Sequence, residues 1–211
     1  MTYKQNLHGL YIITEPTLCG DAIVSKVEQA ILGGAQVIQY RNKAASNEIQ
    51  RSEALALRAL CQQYQRCFLI NDNIELALEV NADGVHLGQS DSSLAEARKQ
   101  LGDTKIIGIT CHSDIKSAIQ AEKNSANYVA FGRFYPSQTK PSAPPATIEI
   151  LQQAQSELNI PIVAIGGVTS NNASTLIHAG ANMIAVIHAI FSAQDIKQTA
   201  QCLSDKFTTT V

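Results

Sequence analysis

Two carboxylates stand one strand-and-helix unit apart: Asp72, in Asn71-Asp72, and Asp91, in Gly88-Gln89-Ser90-Asp91. Each follows an apolar run that reads as a β-strand, residues 67–70 and 82–87, so each lies where a parallel strand passes into a loop. Neighbouring parallel strands bring such ends together. Paired carboxylates beside cations suit a hard divalent ion such as Mg²⁺ that also holds substrate phosphate. The cations are at hand. In Gln39-Tyr40-Arg41-Asn42-Lys43, the alternation of an extended chain puts Gln39, Arg41 and Lys43 on one side. Ser137-Gln138-Thr139-Lys140, after the strand-like run 128–131, adds hydroxyls and a further ammonium. Arginine offers a fork matched to phosphate oxygens and lysine a mobile point charge, so the pattern predicts a site for a diphosphate.

The elements that must position these groups recur along the chain. Apolar runs near 8–14, 35–41, 67–70, 82–87, 105–109, 127–131, 161–165 and 182–187 read as strands. Stretches with helical spacing follow at 22–32, 46–64, 75–78, 93–101, 114–123, 147–158, 171–178 and 189–207. Eight such units in 211 residues predict an α/β fold, one (β/α)8 TIM-barrel domain spanning 1–211, in preference to an open doubly wound sheet. Gly33-Gly34, Gly102 and Gly180 fall at the expected turns, and the proline-containing loop 140–146 would overhang the barrel mouth.

In that frame the polar candidates gather on one rim. Arg41 and Lys43 follow the second strand, Asn71 and Asp72 the third, Asp91 the fourth, and Thr110 and His112 the fifth. Thr139 and Lys140 follow the sixth, Gly166-Gly167 the seventh and Ile187-His188 the eighth. The carboxyl ends of barrel strands carry the chemistry, and the last two loops commonly bind phosphate through backbone N–H groups. A diphosphate site with metal, Arg and Lys would then face a monophosphate site of amides, which fits two phosphorylated substrates.

Composition narrows the rest. The net charge is −2 with no basic run or stripe, which argues against a nucleic-acid partner. The first residues lack the apolar core of a signal peptide and no apolar stretch reaches membrane-spanning length, so a cytoplasmic protein without a membrane partner is expected. Five scattered cysteines without CxxC spacing argue against a disulfide frame and a zinc site. Cys111 reads as a buried or loop thiol, His86 as a hydrogen-bonded core residue and Asp83 as a structural one.

From Leu10-Tyr-Ile-Ile-Thr14 to Ile187-His-Ala-Ile190 the chain resembles the thiamine-phosphate synthase family. The segments that carry the likeness are Gln39-Tyr-Arg-Asn-Lys43, Ile70-Asn-Asp72, Ala82-Asp-Gly-Val-His-Leu-Gly-Gln-Ser-Asp91, Phe131-Gly-Arg-Phe-Tyr-Pro-Ser-Gln-Thr-Lys140 and Ala164-Ile-Gly-Gly-Val168. The resemblance implies a transferase that joins hydroxymethylpyrimidine diphosphate to hydroxyethylthiazole phosphate and releases diphosphate. It implies a pyrimidine diphosphate site at Gln39, Tyr40, Arg41, Asn42, Lys43, Asn71, Thr110 and Lys140, with Arg41, Lys43 and Lys140 neutralising the leaving group. Asp72 and Asp91 are implied as Mg²⁺ ligands. Ser137, Gln138, Thr139, Gly167, Ile187 and His188 are implied around the thiazole phosphate, and Tyr11 beside the pyrimidine. Family members often carry Ser at the position of His188, and a small residue or proline at that of Arg133.

Taken singly, Asp72 and Asp91 would suit helix N-capping, Asp91 especially, since Ser-Ser-Leu-Ala-Glu follows it. The basic cluster and the family pattern together favour metal binding. Two other functions remain open to the same pockets. A thiazole tautomerase would not need the paired acids, and a binding module sensing thiamine phosphates would not turn over.

Overall fold

In the computed structural model, which describes residues 7–89, 91–137 and 144–208, the chain closes into a barrel of eight parallel strands in sequence order. They are β1 (Gly9–Ile13), β2 (Val37–Tyr40), β3 (Cys67–Asn71), β4 (Gly84–Leu87), β5 (Ile106–His112), β6 (Tyr128–Phe131), β7 (Ile162–Ile165) and β8 (Met183–Val186). β8 pairs with β1 through Leu10↔Ile184 and Tyr11↔Ala185, which leaves no edge strand. The helices are α1 (Pro16–Cys19), α2 (Ile23–Leu32), α3 (Asn47–Gln63), α4 (Ile74–Glu79), α5 (Leu94–Leu101), α6 (Ile115–Lys123), α7 (Glu149–Glu157), α8 (Ala173–His178), α9 (His188–Phe191) and α10 (Ile196–Ser204). No helix among the described residues is long and apolar enough to cross a membrane.

The strands read as unbroken apolar runs because both of their faces are covered. Leu10, Ile12, Ile38, Phe68, Ile70, Val85 and Val129 pack outward against the helices. Tyr11, Ile13, Val37, Cys67, Leu69, Ile106, Tyr128, Val163 and Met183 alternate with them and fill the barrel axis. Helix starts are fixed by side chains that accept backbone N–H groups: Ser46 from Ile49, Asn73 from Leu76, Ser93 from Glu96, and Asp195 from Gln198.

Every second strand is entered through the same short turn. Gly34 (φ 103°), Asn81 (φ 49°), Ser125 (φ 70°) and Gly180 (φ 112°) take left-handed backbone after α2, α4, α6 and α8. The next residue is a buried alanine, Ala35, Ala82, Ala126 or Ala181, whose N–H returns to the helix it has just left, at Ala30, Ala77, Ala121 or Leu176. After three of these alanines an Asx side chain reaches across to the preceding strand. Asp83 Oδ2 accepts from Phe68 N, Asn127 Oδ1 from Ile107 N and Asn182 Oδ1 from Ile162 N, each at 2.8 Å. Arg58 pairs with Asp83 at 3.2 Å, and Arg98 Nη2 donates to Asn127 Oδ1 at 2.9 Å. Asp83 is structural, as its place in the sequence suggested.

Two elements differ from the sequence reading. The stretch 189–207 is not one helix: α9 stops at Ser192, whose hydroxyl donates to the His188 carbonyl at 2.6 Å, and Asp195 starts α10 afresh. Helical spacing persists across the break, so periodicity alone does not reveal it. A short helical turn, α1 followed by residues 20–22, also fills the loop after β1, where Pro16 opens the turn.

Asn127→Ala removes one acceptor from two donors, one of them a buried strand amide. Urea denaturation should show a loss of about 1–3 kcal/mol. A change below about 0.5 kcal/mol would show that the side chain does not hold the strand foot.

Candidate active site

The carboxyl ends of the strands open on a cavity of about 530 Å³. Its lining includes Tyr11, Gln39, Arg41, Lys43, Asn71, Asp72, Asp91, Thr110, Ser137, Gly167, Ile187 and His188. Tyr40 and Asn42 do not line it. The alternation of β2 turns Tyr40 outward into the layer beneath the helices, where its hydroxyl donates to Glu53 Oε2 at 2.6 Å. Asn42 Nδ2 donates to the same oxygen at 2.9 Å. Gln138, Thr139 and Lys140 lie outside the described residues.

Asp72 and Asp91 meet at the mouth. Asp72 takes left-handed backbone (φ 61°), and its Oδ2 receives Asn71 Nδ2 at 2.6 Å and Lys43 Nζ at 2.5 Å. Asp91 Oδ2 accepts the Gly88 amide at 2.6 Å. The two carboxyls lie close enough to share a proton. Burial raises both, and the sharing then splits them. Asp72, which also gains Lys43 and Asn71, titrates below the ordinary carboxylate range. Asp91, beside the Asp72 carboxylate, titrates above it, against the pull of the Gly88 amide. Neither acid caps a helix, since Asn73 and Ser93 fill those positions. Two facing carboxylates fit a hard divalent ion, which would compete with protons there. Among the described residues no third His, Cys, Asp or Glu completes a cluster, so the rest of such a shell falls to water and substrate oxygens.

Arg41 is set before any ligand arrives. Its Nη1 meets Glu15 Oε2 at 2.7 Å, and its backbone N–H donates to the buried Thr14 hydroxyl at 2.8 Å. Across the cavity the chain after β6 lies on the loop after β7, with Phe134 N donating to the Ile165 carbonyl at 3.2 Å and Tyr135 N to that of Gly166 at 3.0 Å. A Cβ at Gly167 (φ 64°) would sit 2.4 Å from the Pro136 carbonyl oxygen, so only glycine fits there. Asn172 Nδ2 holds the Gly167 carbonyl at 3.1 Å. His188 opens α9, and its Nδ1 lies 3.0 Å from Ser192 Oγ. The Ser192 proton goes to the His188 carbonyl, so Nδ1 is the donor in that pair.

Several lining and supporting residues were missed from sequence. His86 lines the cavity, with Nδ1 2.9 Å from Tyr128 Oη and Nε2 2.8 Å from Thr110 Oγ1. Its signal was the alternation in 84–87, which sets it opposite to Val85 and Leu87. Tyr128 lies beneath, stacked on His86 with ring centroids 5.5 Å apart and edge-on to Tyr11 at 6.1 Å. A Cβ at Gly108 would fall 1.9 Å from the Tyr128 ring, so the glycine inside β5 makes the space the ring occupies. Arg133 and His112, the latter expected on the rim from sequence and carrying φ 52° at an irregularity of β5, complete the rim. Cys111 is buried, which pushes its thiol up to about 12 and makes it a poor nucleophile.

Comparison with known proteins places this geometry among relatives. A family model described as "Thiamine monophosphate synthase" matches residues 10–190. The chain is 49% identical over 207 residues to the thiamine-phosphate synthase of Alcanivorax borkumensis, covering 96% of this chain and 95% of that one. It is 48% identical over 204 residues to that of Nitrosospira multiformis, covering 97% and 87%. Among solved structures, thiamine phosphate pyrophosphorylase from Pyrococcus furiosus superposes with a TM-score of 0.89 at 33% identity, covering 97% of this chain and 98% of that one.

The capping assignment separates two neighbouring residues in a measurable way. Asn73→Ala should cost about 1 kcal/mol in urea denaturation, whereas Asp72→Asn, which relieves a crowded carboxylate pair, should stay within about 0.5 kcal/mol of the parent. The reverse order would mean that Asp72 is the structural residue.

Proposed function

This chain belongs to the thiamine monophosphate synthase family, and on that premise we propose how its cavity performs the condensation. The reaction joins 4-amino-5-hydroxymethyl-2-methylpyrimidine diphosphate to 4-methyl-5-(2-hydroxyethyl)thiazole phosphate, giving thiamine phosphate and diphosphate. The observation that carries the reading is the facing pair Asp72 and Asp91, with Lys43 on it, in one cavity with Arg41 and the Gly166-Gly167 loop.

Asp72 and Asp91 would hold Mg²⁺, which when bound offsets the negative charge that builds on the leaving diphosphate. Arg41, Lys43 and Lys140 bind that diphosphate, with Asn71 and Thr110 as further hydrogen-bond partners. Gln39, on the cavity floor, orients the pyrimidine. The bond to diphosphate breaks first in character: the aminopyrimidine ring stabilises the cation developing on its methylene carbon, and the thiazole nitrogen then attacks that carbon. No protein nucleophile is needed, so the chain contributes orientation and electrostatic stabilisation. Ser137, Gln138, Thr139, Gly167, Ile187 and His188 hold the thiazole phosphate. The whole chain, 1–211, acts as one barrel in the cytoplasm on these small molecules, with no nucleic-acid or membrane partner.

A steady-state assay of diphosphate release tests the reading. Release should require both substrates and stop when EDTA removes divalent metal, then return with Mg²⁺. Turnover of the thiazole phosphate alone, or binding of both without turnover, would replace transfer by the tautomerase or sensor reading. Because Asp91 is protonated more readily than an ordinary carboxyl, metal and protons compete there as pH falls. Metal affinity therefore falls as pH drops through the Asp91 titration, and raising Mg²⁺ should move the acid limb of activity to lower pH. A limb fixed in position at all Mg²⁺ concentrations would contradict this.

His188 supplies a second test. Its Nδ1 proton is engaged by Ser192, so the Nε2 position donates to phosphate only when the ring is cationic. His188→Ser should keep kcat within about tenfold while raising KM for the thiazole phosphate, most at low pH. A collapse of kcat with unchanged thiazole-phosphate affinity would assign His188 to the chemical step.

A further inference from the structure

We infer that Tyr128 and His86 are positioning residues: beneath the cavity they form a hydrogen-bond chain of fixed direction that makes the Thr110 hydroxyl a donor toward the substrate diphosphate. The identity of that anion rests on the proposed function; the direction of the chain does not.

The direction follows from counting protons. Gln39 Nε2 donates to Tyr11 Oη. Tyr11 Oη lies 2.9 Å from Tyr128 Oη, and Tyr128 Oη lies 2.9 Å from His86 Nδ1. Tyr11 is fully buried and has one proton to place. With the Gln39 amide nitrogen set toward Tyr11, a Tyr128 that donated to Tyr11 would leave the Tyr11 proton no acceptor among the described residues, because its oxygen would already receive both the Gln39 amide and Tyr128. The satisfied order is therefore Gln39 to Tyr11, Tyr11 to Tyr128, and Tyr128 to His86 Nδ1. A neutral imidazole that accepts at Nδ1 carries its proton on Nε2. That proton goes to Thr110 Oγ1, 2.8 Å away. Thr110 must then turn its own proton elsewhere, and Thr110 lines the cavity.

The surroundings favour this order. Burial raises the titration of both phenols well above neutrality, so neither loses the proton that the chain needs. The Tyr128 ring is fixed by the space at Gly108 and by stacking on His86. Successive donors in one direction polarise each other, which strengthens the terminal hydroxyl toward an anion. The opposite direction would present an oxygen lone pair to the diphosphate instead.

The test begins with the substrate-free, full-length protein labelled with ¹⁵N-histidine, His86 being assigned by the signal lost in His86→Asn. The His86 ring should show its proton on Nε2 and a bare Nδ1. In Tyr128→Phe the ring should become a mixture of both tautomers. The same variant should lose about tenfold to a hundredfold in kcat/KM for the pyrimidine diphosphate, with KM for the thiazole phosphate unchanged. Thr110→Val should lose as much, Thr110→Ser should retain activity, and the double variant Tyr128→Phe/Thr110→Val should lose no more than Thr110→Val alone. A wild-type ring protonated on Nδ1 would overturn the inference, as would losses that multiply in the double variant. The wild-type spectrum decides the direction even where Tyr128→Phe does not fold. Absence of diphosphate release with Nε2 protonated would count against the transfer reading and not against the chain.

Discussion

Closing a parallel barrel requires each helix to stop, reverse and deliver the next strand at a fixed height, and the other features depend on how this is done. The left-handed residue, buried alanine and Asx side chain before β4, β6 and β8 solve it by placing the correction in three consecutive positions. The left-handed turn ends the helix, the alanine is small enough to tuck under it, and the Asx carbonyl or carboxylate satisfies an amide at the start of the neighbouring strand. Strand register is thereby set at the foot of the barrel. The rim is left free to carry residues that contribute nothing to closure.

That division of labour is visible in the electrostatics. At the foot, polar side chains are matched: Asp83 has Arg58 and a strand amide, and Asn127 has Arg98 and another. At the rim, groups are held in states they would not adopt alone. Asp72 and His112 take left-handed backbone, as Asn81 and Ser125 do at the foot, at a cost of about 1–2 kcal/mol each for a residue with a side chain. Two carboxyls face each other, and among the described residues the buried Nε atoms of Arg41 and Arg133, like that of Arg98 at the foot, have no hydrogen-bond partner. An anion and a cation bound at the rim, as proposed, would offset the cost of the two facing carboxyls and the unpaired rim guanidinium nitrogens.

How much of this was legible in the sequence depends on the range of the interaction responsible. Strand positions were legible because burial on both faces leaves a continuous apolar run, and the rim acids and cations were legible because they directly follow such runs. The fate of Tyr40 and Asn42 was not, although the alternation of 39–43 pointed to it: a motif read as a block had absorbed residues that face Glu53. The break between α9 and α10 escaped because Ser192 and Asp195 act through local hydrogen bonds that leave the apolar period intact. His86 was assigned to the core on its apolar neighbours. Its bonds to Thr110 and Tyr128 cross strands β4 to β6, and no local pattern encodes that distance.

The ring of Tyr128 and the missing side chain of Gly108 occupy one volume between them. Size at one position therefore limits size at the other. A side chain at Gly108 meets the ring, and a smaller residue at Tyr128 leaves a void under the cavity and frees the His86 tautomer. A larger residue at 108 would need a smaller one than tyrosine at 128, so the floor of the cavity can be reshaped only by paired exchange of these two.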